Sequence, residues 1–156
     1  MSGAIDRFLE AARVQGIQPD VHRFPEGTKT AVDAAQAIGC EVGQIVKSLV
    51  FIADDRPVMA FTSGANRVDE AKLAAVVGAD TTRRASPDEA RTATGFAVGG
   101  TPPFGHRQRL TCVVDHDLLV WDQIWAAAGT PDSVFPLSPA DLLRVTGASA
   151  AAFTVD

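Results

Sequence analysis

The chain has 156 residues, of which 46% are hydrophobic and 21% are charged, and its formal net charge is −5. This composition is typical of one soluble globular domain, which we expect to span residues 1–156, and it argues against a disordered chain. The acidic balance argues against a protein that coats nucleic acid with many Lys and Arg contacts, but it leaves room for a small basic patch that holds one RNA end. No segment approaches the ~18 unbroken apolar residues of a membrane helix, so we expect no membrane partner.

The amino terminus and the cysteine pattern indicate in which cellular compartment the protein is expected and whether a cofactor is expected. The first residues carry acids early and lack the basic-then-apolar run of a signal peptide. Cys40 and Cys112 lie far apart without CxxC spacing, and the three histidines are scattered, so neither a disulfide framework nor a structural zinc site is predicted. We therefore expect a cytoplasmic protein with no metal and no other cofactor. A phosphate-loop motif is absent from the sequence, which together with the acidic charge argues against a nucleotide-binding or DNA-binding protein.

Local patterns predict the first elements in chain order. The helical spacing of apolar residues predicts a helix over 4–15, and 20–24 suits a short strand. Three later helix starts share one pattern, in which a hydroxyl residue accepts a free backbone N–H and an acid three positions later reaches back. The three pairs are Thr30 with Asp33, Ser86 with Glu89, and Ser138 with Asp141. Pro87 and Pro139 favour the last two, because the first helical position needs no N–H.

A hairpin of two buried strands is predicted in the middle of the chain, from a β-branched apolar run at 44–53, an Asp54-Asp55 turn and a returning strand at 57–62. The remaining expected elements are helices at 68–77 and 139–145, a loop at 95–105, and short strands at 80–84, 110–114, 121–127, 133–137 and 151–155. Helices and strands interleave without a strict βαβ rhythm. The predicted fold class is therefore α/β, with a mixed sheet and helices packed around it.

Lys47 is the first candidate functional residue. Strand alternation places it on the same face as Ile45, Leu49 and Phe51, where an ammonium is costly unless it is paired or reaches water. One interpretation is a lysine near a strand end whose stem packs while its head reaches solvent. The other is a cation directed into a cleft, where it meets a phosphate or a carbonyl oxygen.

The segment 99–105, GGTPPFG, is the second feature. Its paired glycines allow backbone N–H groups to approach a ligand closely, and Pro102 and Pro103 stiffen the same turn. A rigid loop with exposed amides suits an oxyanion or a carbonyl group, although an ordinary surface turn has the same composition.

Other polar residues are weaker candidates for a functional site. Ser63 and Asn66 end a predicted strand, where binding loops often lie, although the segment would also cap the next helix. Asp115-His116-Asp117 resembles part of an acid/base or metal group, but a solvated turn is the favoured interpretation. Cys40 has no partner base, so a buried or incidental thiol is favoured over a nucleophile. An RNA-facing patch or a solvated surface would account for the basic residues Arg67, Lys72, Arg83, Arg84, Arg107 and Arg109.

The order of three segments carries a family resemblance. TAVDAAQAIGCEVGQIVKSLVF, then TSGANRVDEAKLA, then TGFAVGGTPPFGH resembles the YbaK/ProX family of aminoacyl-tRNA editing domains over about residues 30–147. The resemblance implies a single α/β domain with a mixed, partly barrel-like sheet. It also implies hydrolysis of the ester that joins a wrong amino acid to the 3′ end of a tRNA, with that aminoacylated end, and an aminoacyl-tRNA synthetase, as the expected partners.

Site residues follow from the same resemblance. The family's invariant lysine corresponds to Lys47, which would orient the terminal nucleotide or the ester. Its GxxxP loop corresponds to Gly99-Gly100-Thr101-Pro102-Pro103, so that Lys47, Gly99 and Gly100 are expected to be catalytic, and Thr101, Pro102 and Pro103 to bind substrate. Phe51, Phe96 and Phe104 would set the volume of the pocket, although packing in the core is the favoured role of each phenylalanine. Ser63 and Asn66 would bond a substrate hydroxyl.

Departures from the family pattern bear on the substrate. Residues 127–132 read AAGTPD where many members carry serine-glycine-glycine followed by an acid, and Phe24 replaces an aromatic hydroxyl. These differences favour removal of alanine, serine or threonine over cysteine. The alternative function is a non-catalytic module of the same fold that binds tRNA or a synthetase. Because Lys47 and the glycine-proline loop are both intact, the enzyme is the favoured prediction.

Overall fold

The computed structural model describes residues 3–25 and 30–156. Its helices are α1 (Ala4–Val14), α2 (Ala31–Ile38), α3 (Glu70–Val77), α4 (Pro87–Thr94) and α5 (Pro139–Thr146). Its strands are β1 (His22–Arg23), β2 (Val46–Ala53), β3 (Arg56–Ser63), β4 (Thr82–Arg84), β5 (Thr111–Asp115), β6 (Ile124–Ala127), β7 (Ser133–Leu137) and β8 (Ser149–Ala151), and short 3₁₀ helices cover Val42–Gln44 and His116–Val120.

The strands form two sheets. A five-stranded sheet has the order β4-β2-β3-β5-β8, in which β2 pairs antiparallel with β3 and β4 while β5 runs parallel to β3 and β8. A three-stranded antiparallel sheet has the order β1-β7-β6. An isolated bridge between Ile45 and Trp125 connects the two sheets. The predicted mixed α/β fold is confirmed, but the sheets are not closed, so the partly barrel-like description applies only loosely.

The three predicted helix caps are present. Thr30 Oγ1 accepts from the Asp33 amide at 3.0 Å, and Ser138 Oγ accepts from the Asp141 amide at 3.0 Å. At α4 the bonding is reciprocal, since Ser86 Oγ accepts from the Glu89 amide and Glu89 Oε1 accepts from the Ser86 amide. A cap of this kind contributes about 1 kcal/mol, so these helix starts are set by local chemistry.

Apolar side chains cover both faces of the β2–β3 hairpin. On one face Val50, Met59 and Phe61 pack with Phe8 of α1 and Phe135 of β7. On the other face a second group of buried side chains lies against α3 and the chain end, formed by Phe51, Ala53, Val58, Ala60, Leu73, Val113 and Phe153. The hairpin is therefore fixed from both sides, which makes β2 a rigid support for Lys47.

The last strand lies earlier in the chain than predicted. The sequence predicted 151–155, whereas β8 covers Ser149–Ala151 and Thr154 forms only an isolated bridge with Val68. The β8 residues pair with the edge of β5, while the Asp69 amide bonds the Phe153 carbonyl and the Val155 amide bonds the Arg67 carbonyl. The segments with which residues 149–155 pair, not the local propensity of those residues, thus set where the last strand lies. Within the described residues, no helix is long and apolar enough to cross a membrane.

Candidate functional site

A cavity of about 490 Å³ lies where the outer edge of β2 meets the three-stranded sheet. β4 pairs with β2 only from Phe51 onward, and the Ile45–Trp125 bridge closes the other end, so the β2 edge between them is open to the cavity. Lys47 lines this cavity together with Gly99 and Thr101 of the 95–105 loop. The structure therefore brings the predicted lysine and the predicted loop to one site.

The Lys47 side chain is half-buried and held in place. Its Nζ donates to the backbone carbonyl of Asn66 at 2.5 Å. Burial lowers the pKa of the Lys47 amine, and the Arg84 charge lowers it further, while the Asp115 carboxylate opposes both effects. The ammonium is therefore fixed in direction and releases its proton more readily than a free lysine does.

Asp115 supports the turn that holds Lys47, although its side chain is fully buried and does not line the cavity. Asp115 Oδ2 accepts from the Ser63 amide at 3.0 Å and from Asn66 Nδ2 at 2.9 Å, and Oδ1 accepts from the Asp117 amide at 3.0 Å. The interpretation of 115–117 as a solvated turn is therefore wrong for Asp115. Ligand atoms of Asp115, His116 and Asp117 lie within 4.8 Å of one another, but the Asp115 oxygens are already engaged by these donors.

The loop residues differ in what they offer to the cavity. No described residue accepts a hydrogen bond from the Gly99 or Thr101 amide, so both remain available to a ligand. The Gly100 amide instead donates to the Ala97 carbonyl at 3.0 Å, and a Cβ at Gly100 would lie 2.8 Å from backbone atoms of Thr130. The structure thus does not place Gly100 as a ligand donor; it lets two backbone segments approach each other.

The two prolines of the loop lie beyond the cavity. The Pro102 carbonyl is 2.6 Å from His106 Nε2, and Pro103 borders a second cavity. Neither proline lines the Lys47 cavity, which contradicts direct substrate binding. Their contribution is the stiffness of the loop.

Five further residues predicted to contact the substrate or to shape its pocket do not line the cavity. Ser63 is buried and its Oγ donates to the Gly43 carbonyl at 2.8 Å, while Asn66 Nδ2 bonds Asp115 and Asp117. Phe51 lies in the core against α3, and Phe96 and Phe104 are also buried. The predicted substrate contacts of Ser63, Asn66 and Phe51 are therefore wrong: Ser63 and Asn66 support the Lys47 turn. The favoured role of the phenylalanines, packing in the core, is confirmed.

The sequence analysis did not name Ser48, which lines the cavity, and it placed Arg84, another lining residue, only in a possible basic patch. Ser48 follows Lys47, and its Oγ is buried without a hydrogen-bond partner among the described residues. Arg84 reaches the cavity from β4, a strand that joins β2 only through pairing in the folded state. An unpartnered buried hydroxyl costs about 1–3 kcal/mol, so a bound ligand atom that pairs with Ser48 would recover that energy.

The predicted patch of six basic residues does not form one surface. Arg83 is ion-paired with Glu89, and Lys72 with Asp156, while Arg84 belongs to the Lys47 cavity. Arg107 and Arg109 lie at the second cavity.

Comparison with known proteins decides the family. The aminoacyl-tRNA editing domain family matches residues 25–145. The chain belongs to this family. The resemblance inferred from the sequence is thereby confirmed for most of the chain.

Known proteins that are similar to the chain cover it to different extents. A crystal structure of a proposed trans-editing enzyme for prolyl-tRNA synthetase is 43% identical, with a TM-score of 0.93 over 100% of this chain and 99% of that one. The uncharacterised protein YwhH of Bacillus subtilis is 30% identical over 79% of this chain and 78% of its own length. A proline–tRNA ligase of Lactiplantibacillus plantarum is 35% identical over 57% of this chain, which spans only 16% of that ligase.

Proposed function

We propose that this chain is a trans-acting deacylase that hydrolyses the ester of a mischarged tRNA carrying a small amino acid. The observation that carries the proposal is that Lys47, Ser48, Gly99 and Thr101 line one cavity, with the Lys47 ammonium held by the Asn66 carbonyl. Editing-domain membership supports the reaction class. The similarity to a proposed partner of prolyl-tRNA synthetase and to proline–tRNA ligases favours a proline tRNA as the carrier.

Water is the nucleophile in this proposal. An aminoacyl ester is already activated, so its hydrolysis needs positioning and oxyanion stabilisation more than a strong protein nucleophile. Burial raises the pKa of the Cys40 thiol and raises that of Cys112 to about 11, and neither lines the cavity, which disfavours a cysteine nucleophile. Water adds to the ester carbonyl, the bond to the ribose oxygen breaks, and that oxygen leaves with a proton as the free hydroxyl.

The roles of the residues follow from their placement. The Lys47 ammonium, directed by the Asn66 carbonyl, stabilises negative charge on the ester or on the adjacent nucleotide. The free amides of Gly99 and Thr101 are the candidate donors to the carbonyl oxygen, a type of contact whose loss typically costs about 100- to 1000-fold in rate. Ser48 supplies a hydroxyl for a substrate oxygen or amine.

The wall of the cavity favours an uncharged side chain. Its apolar part includes Ala31, Ala34, Ile45, Trp125 and Val134. No acidic side chain among the described lining residues offers a counter-ion to a basic amino acid, since the charged members are Lys47 and Arg84. An apolar pocket separates side chains that differ by one methylene by only about 1–3 kcal/mol, so activity on more than one small residue is expected.

The proposal is tested by incubating the purified protein with proline tRNA charged with alanine, serine, threonine or cysteine, and with correctly prolylated tRNA. Ester loss above the buffer rate for at least one small amino acid, with the prolyl ester spared, is the expected result. If no ester is lost faster than in buffer while the tRNA still binds, the chain is a non-catalytic tRNA-binding module and the proposal fails.

A further inference from the structure

A second cavity of about 490 Å³ lies on the other side of the glycine-proline loop. Its polar lining includes three arginines from two separate elements. We call the surface formed by Gln15, Arg107, Gln108, Arg109 and Arg144 the arginine groove. No acidic residue is among the described residues that line it, although the whole chain has a net charge of −5.

Two of these cations are not neutralised within the part of the chain that the structure describes. Arg107 and Arg109 are exposed, and no described side chain or carbonyl bonds their guanidinium groups. Arg144 is held by the Gln15 carbonyl at 3.0 Å and by Asp141 at 3.3 Å. By contrast, Arg13 pairs with Glu10, and Arg83 with Glu89. The groove therefore carries at least two cations that no described carboxylate pairs with.

The backbone of the groove is anchored, so its cations are not on a loose tail. The Arg107 amide donates to the Thr94 carbonyl at the end of α4, and His106 Nε2 bonds the Pro102 carbonyl. Burial lowers the pKa of His106, which favours its neutral form, so the arginines supply the charge of the groove. A guanidinium offers a planar set of donors that matches phosphate oxygens.

The groove and the Lys47 cavity share one loop. Gly99 and Thr101 border the Lys47 cavity, while Pro103, Phe104 and Gly105 border the groove. Thr101 and Pro103 are two residues apart, which limits their Cα separation to about 7 Å. A nucleic-acid strand whose 3′ end enters the Lys47 cavity therefore has the arginine groove within reach across the loop.

We propose that the arginine groove binds backbone phosphates of the tRNA acceptor end, outside the terminal nucleotide whose ester lies in the Lys47 cavity. This inference rests on the proposed deacylase function and names the surface that supplies RNA affinity in an otherwise acidic protein. Phosphate contacts position a nucleic acid and make its binding depend on salt.

The test compares the double variant Arg107→Ala/Arg109→Ala with Arg56→Ala/Arg91→Ala, which removes two exposed arginines that border neither cavity. For aminoacyl-tRNA, KM should rise about tenfold in the groove variant with kcat unchanged, and the slope of log affinity against log salt should fall by about 2. Hydrolysis of an aminoacyl-adenosine ester, which carries no phosphate backbone, should not change. The variant Arg107→Lys/Arg109→Lys should retain most of the salt slope.

Equal KM and equal salt slope in the groove and control variants would overturn the inference. A parallel loss of aminoacyl-adenosine hydrolysis would also overturn it, because the arginines would then act on the Lys47 cavity itself. If the wild-type protein hydrolyses neither ester, the proposed function fails, and the groove is judged by the salt slope for uncharged tRNA alone.

Discussion

Ser48 and Ser63 are two serines with buried hydroxyls in opposite situations. Ser63 Oγ donates to the Gly43 carbonyl, whereas Ser48 Oγ has no partner among the described residues and lies at the Lys47 cavity. A protein keeps an unpaired buried hydroxyl at a cost, and such costs are often found at ligand sites. We therefore interpret Ser48 as a group whose partner arrives with the substrate.

The replacement Ser48→Ala should make the protein more stable and less active. Removing the unpaired hydroxyl should raise the free energy of unfolding by about 1 kcal/mol, since no bond is lost in the free protein. Deacylation should fall, because the substrate loses a hydrogen bond. Urea unfolding and deacylation rates measure the two effects. The matched control Ser63→Ala should instead lose stability, and a Ser48→Ala protein with lower stability and full activity would contradict this interpretation.

Asp115 is expected to act through Lys47, not on the substrate. In Asp115→Asn, an amide N–H₂ replaces one acceptor oxygen, so the bonds to the Ser63 amide and Asn66 Nδ2 weaken and the Asn66 carbonyl no longer fixes Lys47. A misplacement of about 1 Å can cost about 100-fold in rate, so kcat should fall much more than KM rises. The control Asp69→Asn, whose amide oxygen can still cap α3, should leave both stability and kcat close to wild type.

The pH profile separates this positioning role from a purely structural one. The Asp115 charge raises the pKa of Lys47 against the lowering by burial and by Arg84. Without that charge the Lys47 pKa falls further, so the alkaline decline in deacylation should begin at lower pH in Asp115→Asn than in the wild type. An unchanged alkaline limb, measured with the spontaneous ester loss subtracted, would show that Asp115 does not act through Lys47.

Among the secondary-structure elements, those set by local chemistry were predictable. The caps of α2, α4 and α5 were identified from a hydroxyl and an acid three positions apart, because both partners lie within one turn. The β2–β3 hairpin followed from its apolar runs and its Asp54-Asp55 turn. In contrast, the bounds of β8 depend on the edges of β5 and of residues 67–69, which no local pattern encodes.

The residues of the candidate site also separate into those that a local sequence pattern predicts and those that it does not. Lys47 and the Gly99–Thr101 segment were identified because they carry a recognisable sequence pattern. Arg84 and Asp115 were named only as members of a basic patch and of an acid/base or metal group, because β4 and β5 reach the site region only through pairing in the folded sheet. Phe51 was misplaced for a related reason: the sequence shows its alternation with Lys47 but not that α3 covers that part of the sheet.

The 99–105 loop is expected to depend on its contact with residues 129–131. In Gly100→Ala, the added Cβ would lie 2.8 Å from the Thr130 Cα and carbonyl carbon, so backbone must move. We expect a loss of about 1–3 kcal/mol in stability and a marked loss of deacylation, measured by urea unfolding and by ester hydrolysis. Gly3→Ala is the control, since its Cβ would meet only a carboxylate oxygen at 4.0 Å. Full activity in Gly100→Ala would show that the loop position does not matter.

For the whole molecule, the distribution of charge explains how an acidic protein can receive an RNA end. Lys47 and Arg84 give the Lys47 cavity positive charge without an acidic lining residue in the described chain, and the arginine groove adds cations beyond the shared loop. The chain as a whole carries a net charge of −5, so RNA affinity is expected to be local and sensitive to salt.

The proposed deacylation depends above all on the Lys47 ammonium acting at the ester. Single-turnover deacylation by Lys47→Met measures this dependence. Methionine keeps a long apolar stem in the half-buried position but removes the charge. Lys72→Met is the matched control, because Lys72 pairs with Asp156 and lines neither cavity. With both variants folded, we predict a rate at least about 100-fold below wild type for Lys47→Met and a wild-type rate for Lys72→Met. A wild-type rate for Lys47→Met would show that the Lys47 ammonium does not act at the ester.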